Sequence, residues 1–141
     1  MAVSPPSAQV RRSAVVVAAT LAIAAAAAPL AAAAPATEFP TDDRGFVGTA
    51  AYCQGAAVAT AYGRTQDALV AICSGPDGQL QYRGVRLEDD AALMLDATPA
   101  AVNGFTAEND DVVYTVTSTE LVVAQGDSTL YRQAMVEYRR P

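Results

Sequence analysis

From Ala56 to the C-terminus the apolar residues recur at every second position in short stretches, and turn residues break those stretches about every 8 to 12 positions. A helix buries every third or fourth residue, and no stretch of the chain beyond residue 36 keeps that period. This alternation restricts the fold to antiparallel β-structure. Val58, Thr60 and Tyr62 share one face of a first strand, and Ala68 to Cys73 is apolar throughout, as a central strand buried on both sides would be. Ser74-Gly75-Pro76-Asp77-Gly78 is a turn, because proline presets one dihedral and Gly78 accepts positive φ after Asp77. Leu80 and Tyr82 then alternate, and Val85 and Leu87 resume out of phase after Gly84, the pattern of a β-bulge.

Glu88-Asp89-Asp90 would suit a helix N-terminus, but the segment that follows, Ala91 to Leu95, is short and stops at Thr98-Pro99, so a brief strand is favoured. Val102 to Ala107 is a weak strand, and Glu108 to Asp111 is an acidic turn. Val112, Tyr114 and Val116 form the clearest alternation, Thr117 to Thr119 turn, Leu121 to Ala124 form a strand, Gly126-Asp127-Ser128 turn, and Leu130 to Tyr138 closes the domain. The expectation is an all-β meander of about eight short strands, as a small sandwich or a partly closed barrel. Periodicity does not choose between the two.

The first thirty-six residues have a different texture. Arg11 and Arg12 precede an uncharged run from Ala14 to Ala28, and Ala34-Pro35-Ala36 offers small residues at a peptidase site. The run is shorter than the roughly twenty residues of a membrane-spanning helix, so residues 1–36 read as a cleaved signal peptide rather than a retained anchor. Cleavage is expected after Ala36, because a cut after Ala34 would leave Pro35 first. Ser13-Ala14-Val15 lacks the large apolar residue of a twin-arginine signal, so Sec export is favoured. No cysteine stands at the cut for lipid attachment. The protein is therefore expected to be secreted or to reside in the periplasm or cell envelope, and not to be an integral membrane protein after cleavage.

Residues 37–141 keep seven of the nine arginines and all fifteen acids, a formal charge of −8 against −6 for the whole chain. Nucleic-acid binding needs clustered positive charge, so no nucleic-acid partner is expected. About a hundred residues make one domain. Residues 37–55, rich in Pro, Asp and Gly, read as an extended N-terminal arm that becomes ordered only near Phe46 and Cys53; residues 56–141 are the all-β domain. In an oxidising compartment Cys53 and Cys73 are expected to pair, closing a loop worth roughly 3 kcal/mol.

Absent residue types narrow the chemistry. There is no histidine and no lysine, which excludes Ser-His-Asp, Cys-His and Ser-Lys arrangements, Schiff bases and P-loops. With the thiols consumed by each other, zinc and copper lack ligands, and neither a metal nor a cofactor is expected. Asp127-Ser128-Thr129 is similar to an aspartic-protease triplet, but the glycine is misplaced and one copy exists, so it reads as a turn.

Carboxylates, arginines and tyrosines remain. Glu88-Asp89-Asp90 and Glu108-Asn109-Asp110-Asp111 could ligate calcium if the fold joined them, though neither has EF-hand spacing, and paired acids could hydrolyse a glycoside. Their bland reading is solvated turns. Arg83 and Arg86 flank the expected bulge with Tyr82, and Arg132, Arg139 and Arg140 cluster late beside Tyr131 and Tyr138. Arginine with tyrosine suits a recognition surface for an anionic group, against the alternative of ordinary strand surface.

Gly63-Arg64-Thr65-Gln66-Asp67-Ala68-Leu69-Val70-Ala71-Ile72-Cys73, with Tyr82-Arg83-Gly84-Val85-Arg86-Leu87, resembles a small exported domain of mycobacteria, nocardiae and related actinobacteria. Tyr114-Thr115-Val116 through Leu121, then Leu130 and Met135 to Tyr138, fit the same pattern, so the resemblance covers nearly all of residues 37–141. It implies relatives that stand alone as secreted proteins and others that form extracellular parts of membrane serine/threonine kinases. This chain departs from the latter in showing no kinase domain and no internal membrane span. The family has no assigned chemistry, so the resemblance implies a location and no catalytic residues. Arginine without lysine also suits a GC-rich genome. The expected function is a non-catalytic interaction or structural module with an unidentified envelope component or protein as partner; the alternatives are a small carboxylate-based hydrolase or a calcium-binding exported domain.

Overall fold

A computed structural model describes Val3 and residues 39–141. The expected leader, its cleavage site and the first two residues of the expected arm lie outside the described residues. Among these residues there is no helix, and eleven strands are found: β1 (Thr41–Asp42), β2 (Gly45–Phe46), β3 (Val58–Arg64), β4 (Ala68–Ser74), β5 (Leu80–Arg86), β6 (Ala92–Ala100), β7 (Gly104–Asn109), β8 (Val112–Val116), β9 (Glu120–Gln125), β10 (Ser128–Ala134) and β11 (Glu137–Arg139). β1 and β2 form a hairpin of their own. The other nine make one antiparallel sheet in the order β10-β9-β8-β7-β6-β5-β4-β3-β11. The eight-strand meander is therefore β3 to β10.

The sheet curls into a half-barrel, and one stretch of chain ties its two edges. β10 pairs with β9 and β11 with β3, although only Met135 and Val136 separate the two strands. Met135 N–H donates to Thr119 O at 2.9 Å, and Val136 N–H donates to Arg64 O at 2.7 Å. Between sandwich and barrel, the chain takes the partly closed barrel. Gly63 permits this closure: a Cβ there would lie 2.8 Å from Met135 Sδ and 3.0 Å from Glu137 O.

Each face of β3–β5 buries its own core. Ala61, Val70, Ile72, Tyr82, Ala97, Phe105, Ala107, Val116 and Leu121 pack on the concave face. Phe46, Ala51, Cys53, Ala59, Tyr62, Leu69, Ala71, Cys73 and Val85 pack on the convex face. β4 contributes to both, as its unbroken apolar run requires, with Leu69, Ala71 and Cys73 outward and Val70 and Ile72 inward.

The N-terminal segment is a folded flap rather than an extended arm. Phe46, Ala51 and Cys53 are fully buried, and Phe46 stacks edge-on against Tyr62 at 5.4 Å between ring centres. Cys53 and Cys73 form a disulfide that joins the flap to β4. Gly45 makes the approach possible with φ of 118°, where an added Cβ would meet Ala51 O at 2.6 Å.

Three local expectations change. The register of β5 is continuous with both neighbours, so Gly84 marks no bulge; the shifted phase arises because Leu80 and Tyr82 face the inner core and Val85 and Leu87 the outer one. The bulges lie in β3, between Ala59 and Ala61, and in β10, between Thr129 and Tyr131. The first of these disrupts the expected shared face of Val58, Thr60 and Tyr62: Ala59 and Tyr62 face outward while Ala61 faces inward. β6 runs through Pro99 to Ala100, because β5 pairs with it only as far as Ala97 and Pro99 has β7 alone beside it.

Candidate functional site

Six strands of the curled sheet turn side chains toward one another and leave a groove-like cavity of about 880 Å³, half open to solvent, on the concave face. Its wall carries Tyr82 from β5, Leu93 from β6, Tyr114 from β8, Leu121 and Val123 from β9, and Tyr131 from β10. The mouth lies at the β3–β4 and β5–β6 turns, beside Asp67, Arg86 and Glu88. An eight-stranded barrel is just wide enough to be filled by its own side chains or to hold one small ligand. Here the side chains do not fill it. Gly84 contributes an absent side chain, and Ala68 and Ala92 contribute small ones.

A polar clasp holds the far wall against the β3–β4 turn. Thr65 is fully buried; its Oγ1 accepts from the N–H groups of Asp67 (3.2 Å) and Ala68 (3.0 Å) and lies 2.9 Å from the Tyr131 hydroxyl. With both backbone donors on Thr65, its proton goes to Tyr131, which donates in turn to Gln133 Oε1. Gln133 also accepts from Asp67 N–H at 3.2 Å and donates to the Asp67 carboxylate. Every member has a partner, which is when a buried polar network stabilises. Thr65, Asp67 and Gln133 are separated from their partners by as many as 66 positions, and no sequence pattern announced them.

The tyrosines and arginines expected to share a recognition surface separate by face. Tyr82 (3% exposed) and Tyr131 line the cavity, and Tyr138 packs on the same inner core. Arg83, 8% exposed, lies one residue out of phase with Tyr82 and donates from Nε to Gln81 Oε1 at 2.8 Å. Arg86 returns to the concave phase at the cavity mouth and forks onto Asp89 at 2.9 and 2.8 Å. Arg132 bonds both oxygens of Glu120, at 2.8 and 2.9 Å, and Arg139 donates to Glu137 at 3.3 Å. Arg140 lies over the Phe105 ring, 5.6 Å from its centre. Alternation along a strand sends neighbouring side chains to opposite faces, so adjacency in sequence misplaced them. Of the late arginines, Arg132 and Arg139 each pair with a carboxylate, of Glu120 and Glu137.

Electrostatics differ between wall and mouth. Burial pushes the Tyr82 hydroxyl far above the ordinary phenol range, and the nearby Tyr114 and Tyr131 hydroxyls add to the rise. Burial also raises Tyr131, against the Thr65 hydrogen bond. At the mouth, the hydrogen bond from Arg86 holds the Asp89 carboxyl below the usual carboxylate range. The wall is thus neutral and phenolic, and the mouth is ionic. The two acidic turns lie at the same end of the sheet, yet no three acidic side chains converge among the described residues. No helix among them is long and apolar enough to cross a membrane.

Comparisons with protein-family models, curated proteins and solved structures returned no match.

Proposed function

We propose that this chain is an exported, non-catalytic binding domain that takes a small, largely apolar molecule into its half-barrel at or beyond the cell envelope. The cavity carries this reading. Its 880 Å³ falls within the roughly 300 to 1,000 Å³ of small-molecule sites, and its wall has the usual makeup of apolar and aromatic side chains with few polar groups. The disulfide suits an oxidising compartment, as the leader-like residues 1–36 and the resemblance to an exported actinobacterial domain also do.

Two of the three ionisable groups at the mouth are tied to neighbours, Asp67 to Gln133 and Arg86 to Asp89, which leaves Glu88 without the second carboxylate that a hydrolase of the expected kind would use. The calcium alternative finds no convergent acids among the described residues.

The reading is tested with N-phenyl-1-naphthylamine, which fluoresces in apolar surroundings. Saturable binding of one probe per chain is expected, and Ala68→Phe, which puts a ring into the cavity, should remove it while the protein still melts cooperatively. Binding that persists unchanged in the folded variant would place the probe elsewhere and defeat the proposal.

A further inference from the structure

From the same cavity, and resting on the reading that it binds a small molecule, we infer the ligand's chemical class: an uncharged or cationic ring compound that presents a hydrogen-bonding group to the Tyr82 hydroxyl. Two independent observations point there. The first is the hydroxyl itself. Tyr82 is 97% buried by its 3% exposure, yet among the described residues its oxygen makes no hydrogen bond. Nor does it figure among the fully enclosed polar atoms that lack a partner, which are Arg64 Nε and Tyr138 Oη. Tyr82 is one of the residues that line the cavity, and its hydroxyl lies over Gly84, another of them. A ligand that brings a hydrogen-bonding group to this oxygen gives it a partner inside the groove, which an apolar ligand of the same shape does not. Tyr131, across the cavity, is different, because Thr65 and Gln133 already satisfy its hydroxyl.

The second observation is the sign of the charge at the mouth. Asp67 and Glu88 line it against Arg86 alone, and Arg86 is occupied by a bidentate bond to Asp89. An anion entering the cavity meets two carboxylates, Asp67 and Glu88, that no cation among the described residues neutralises; both are exposed, so the repulsion is modest and screened by salt. A cation or neutral molecule meets no such barrier. Tyr82 and Tyr114, 5.3 Å apart between ring centres and tilted by 42°, offer a ring edge and face against which a planar body packs. An acyl-chain carboxylate is the class this site rejects.

Three probes with one body separate the possibilities: neutral N-phenyl-1-naphthylamine, its anionic 8-sulfonate, and a trimethylammonium-bearing derivative. The neutral and cationic probes are expected to bind at least about tenfold more tightly than the sulfonate at low salt. Glu88→Gln should tighten the sulfonate by about threefold relative to the neutral probe. For the hydroxyl, 2-acetylnaphthalene is compared with 2-ethylnaphthalene; the wild type should favour the ketone, and Tyr82→Phe should reduce that preference about fivefold. A sulfonate that binds as well as the neutral probe would overturn the charge selection while the cavity reading survives. A ketone preference untouched by Tyr82→Phe would overturn the anchor. Failure of all three probes to bind would remove the binding reading itself.

Discussion

The ring of Tyr82 lies over Gly84, two residues along the same strand face, so closely that a Cβ at position 84 would sit 2.8 Å from its Cε1 and its hydroxyl oxygen. Glycine here sets the shape of the cavity as well as the backbone, because it lets the ring lean toward the mouth instead of standing off the sheet. Gly84→Ala should drive the ring out into the cavity. Overpacking in a filled core costs about 1 to 3 kcal/mol, and the open cavity puts this change at the low end, near 1 kcal/mol, in urea denaturation. Probe affinity should fall more steeply than stability, since the displaced ring occupies the ligand's place.

The Cys53–Cys73 bond spans 20 positions and fastens a flap that supplies Phe46, Ala51 and Cys53 to the outer core. Replacing both cysteines with alanine should lower unfolding free energy by about 3 kcal/mol, the loop-closure contribution, as read from denaturation under two-state conditions. The inner core does not include the flap. Limited proteolysis of the double variant should therefore cut within residues 39–57 first, with the meander surviving longer. Simultaneous loss of both would show that the two cores unfold as one unit.

Strand existence was legible in the sequence because alternation and turn chemistry are local, and so was the disulfide, which depends on the count of cysteines and the compartment expected for them. Sidedness was less legible. β5 hides apolar residues on both faces, so its alternation looked like a bulge at Gly84, whereas the real irregularity in β3, between Ala59 and Ala61, falls among small residues that carry no phase. The flap between Phe39 and Cys53 looked like a tether because its burial is carried by one aromatic, one alanine and one cysteine amid turn residues. The cavity was illegible for a different reason. It depends on curvature and on contacts such as Thr65 with Tyr131, separated by 66 positions, which only the closed sheet brings together.

Buried phenols make stability pH-dependent on the alkaline side. Tyr82, Tyr131 and Tyr138 are all raised, chiefly by desolvation. A group whose folded pKa exceeds its unfolded value of about 10 contributes its full stabilisation below pH 10 and loses it as pH climbs toward the folded value. Unfolding free energy should thus be flat through neutral pH and fall above about pH 10. Absorbance at 295 nm should show these tyrosines ionising late, together with unfolding. Tyr82→Phe should reduce the alkaline slope, and an unchanged slope would mean that Tyr82 ionises in the folded state without strain.

The β6–β7 turn holds a misfit that substitution can relieve. Val102 and Asn103 both have φ of 59°, and Gly104 N–H donates to Ala101 O at 3.3 Å, so two consecutive central residues occupy left-handed backbone. Paired positive φ values are what a type I′ hairpin turn demands, and Asn-Gly satisfies it best. Valine, branched at Cβ, is among the worst residues for that conformation, and at 92% exposure it gains nothing from packing in return. Val102→Asn should therefore stabilise the domain by about 1 kcal/mol, raising the melting temperature by roughly 4 to 8 °C for a domain of this size. Since the turn lies between β6 and β7 at the end opposite the mouth, affinity for N-phenyl-1-naphthylamine should stay the same. A melting temperature lowered by the asparagine would mean that the valine side chain makes a contact worth more than the strain it carries.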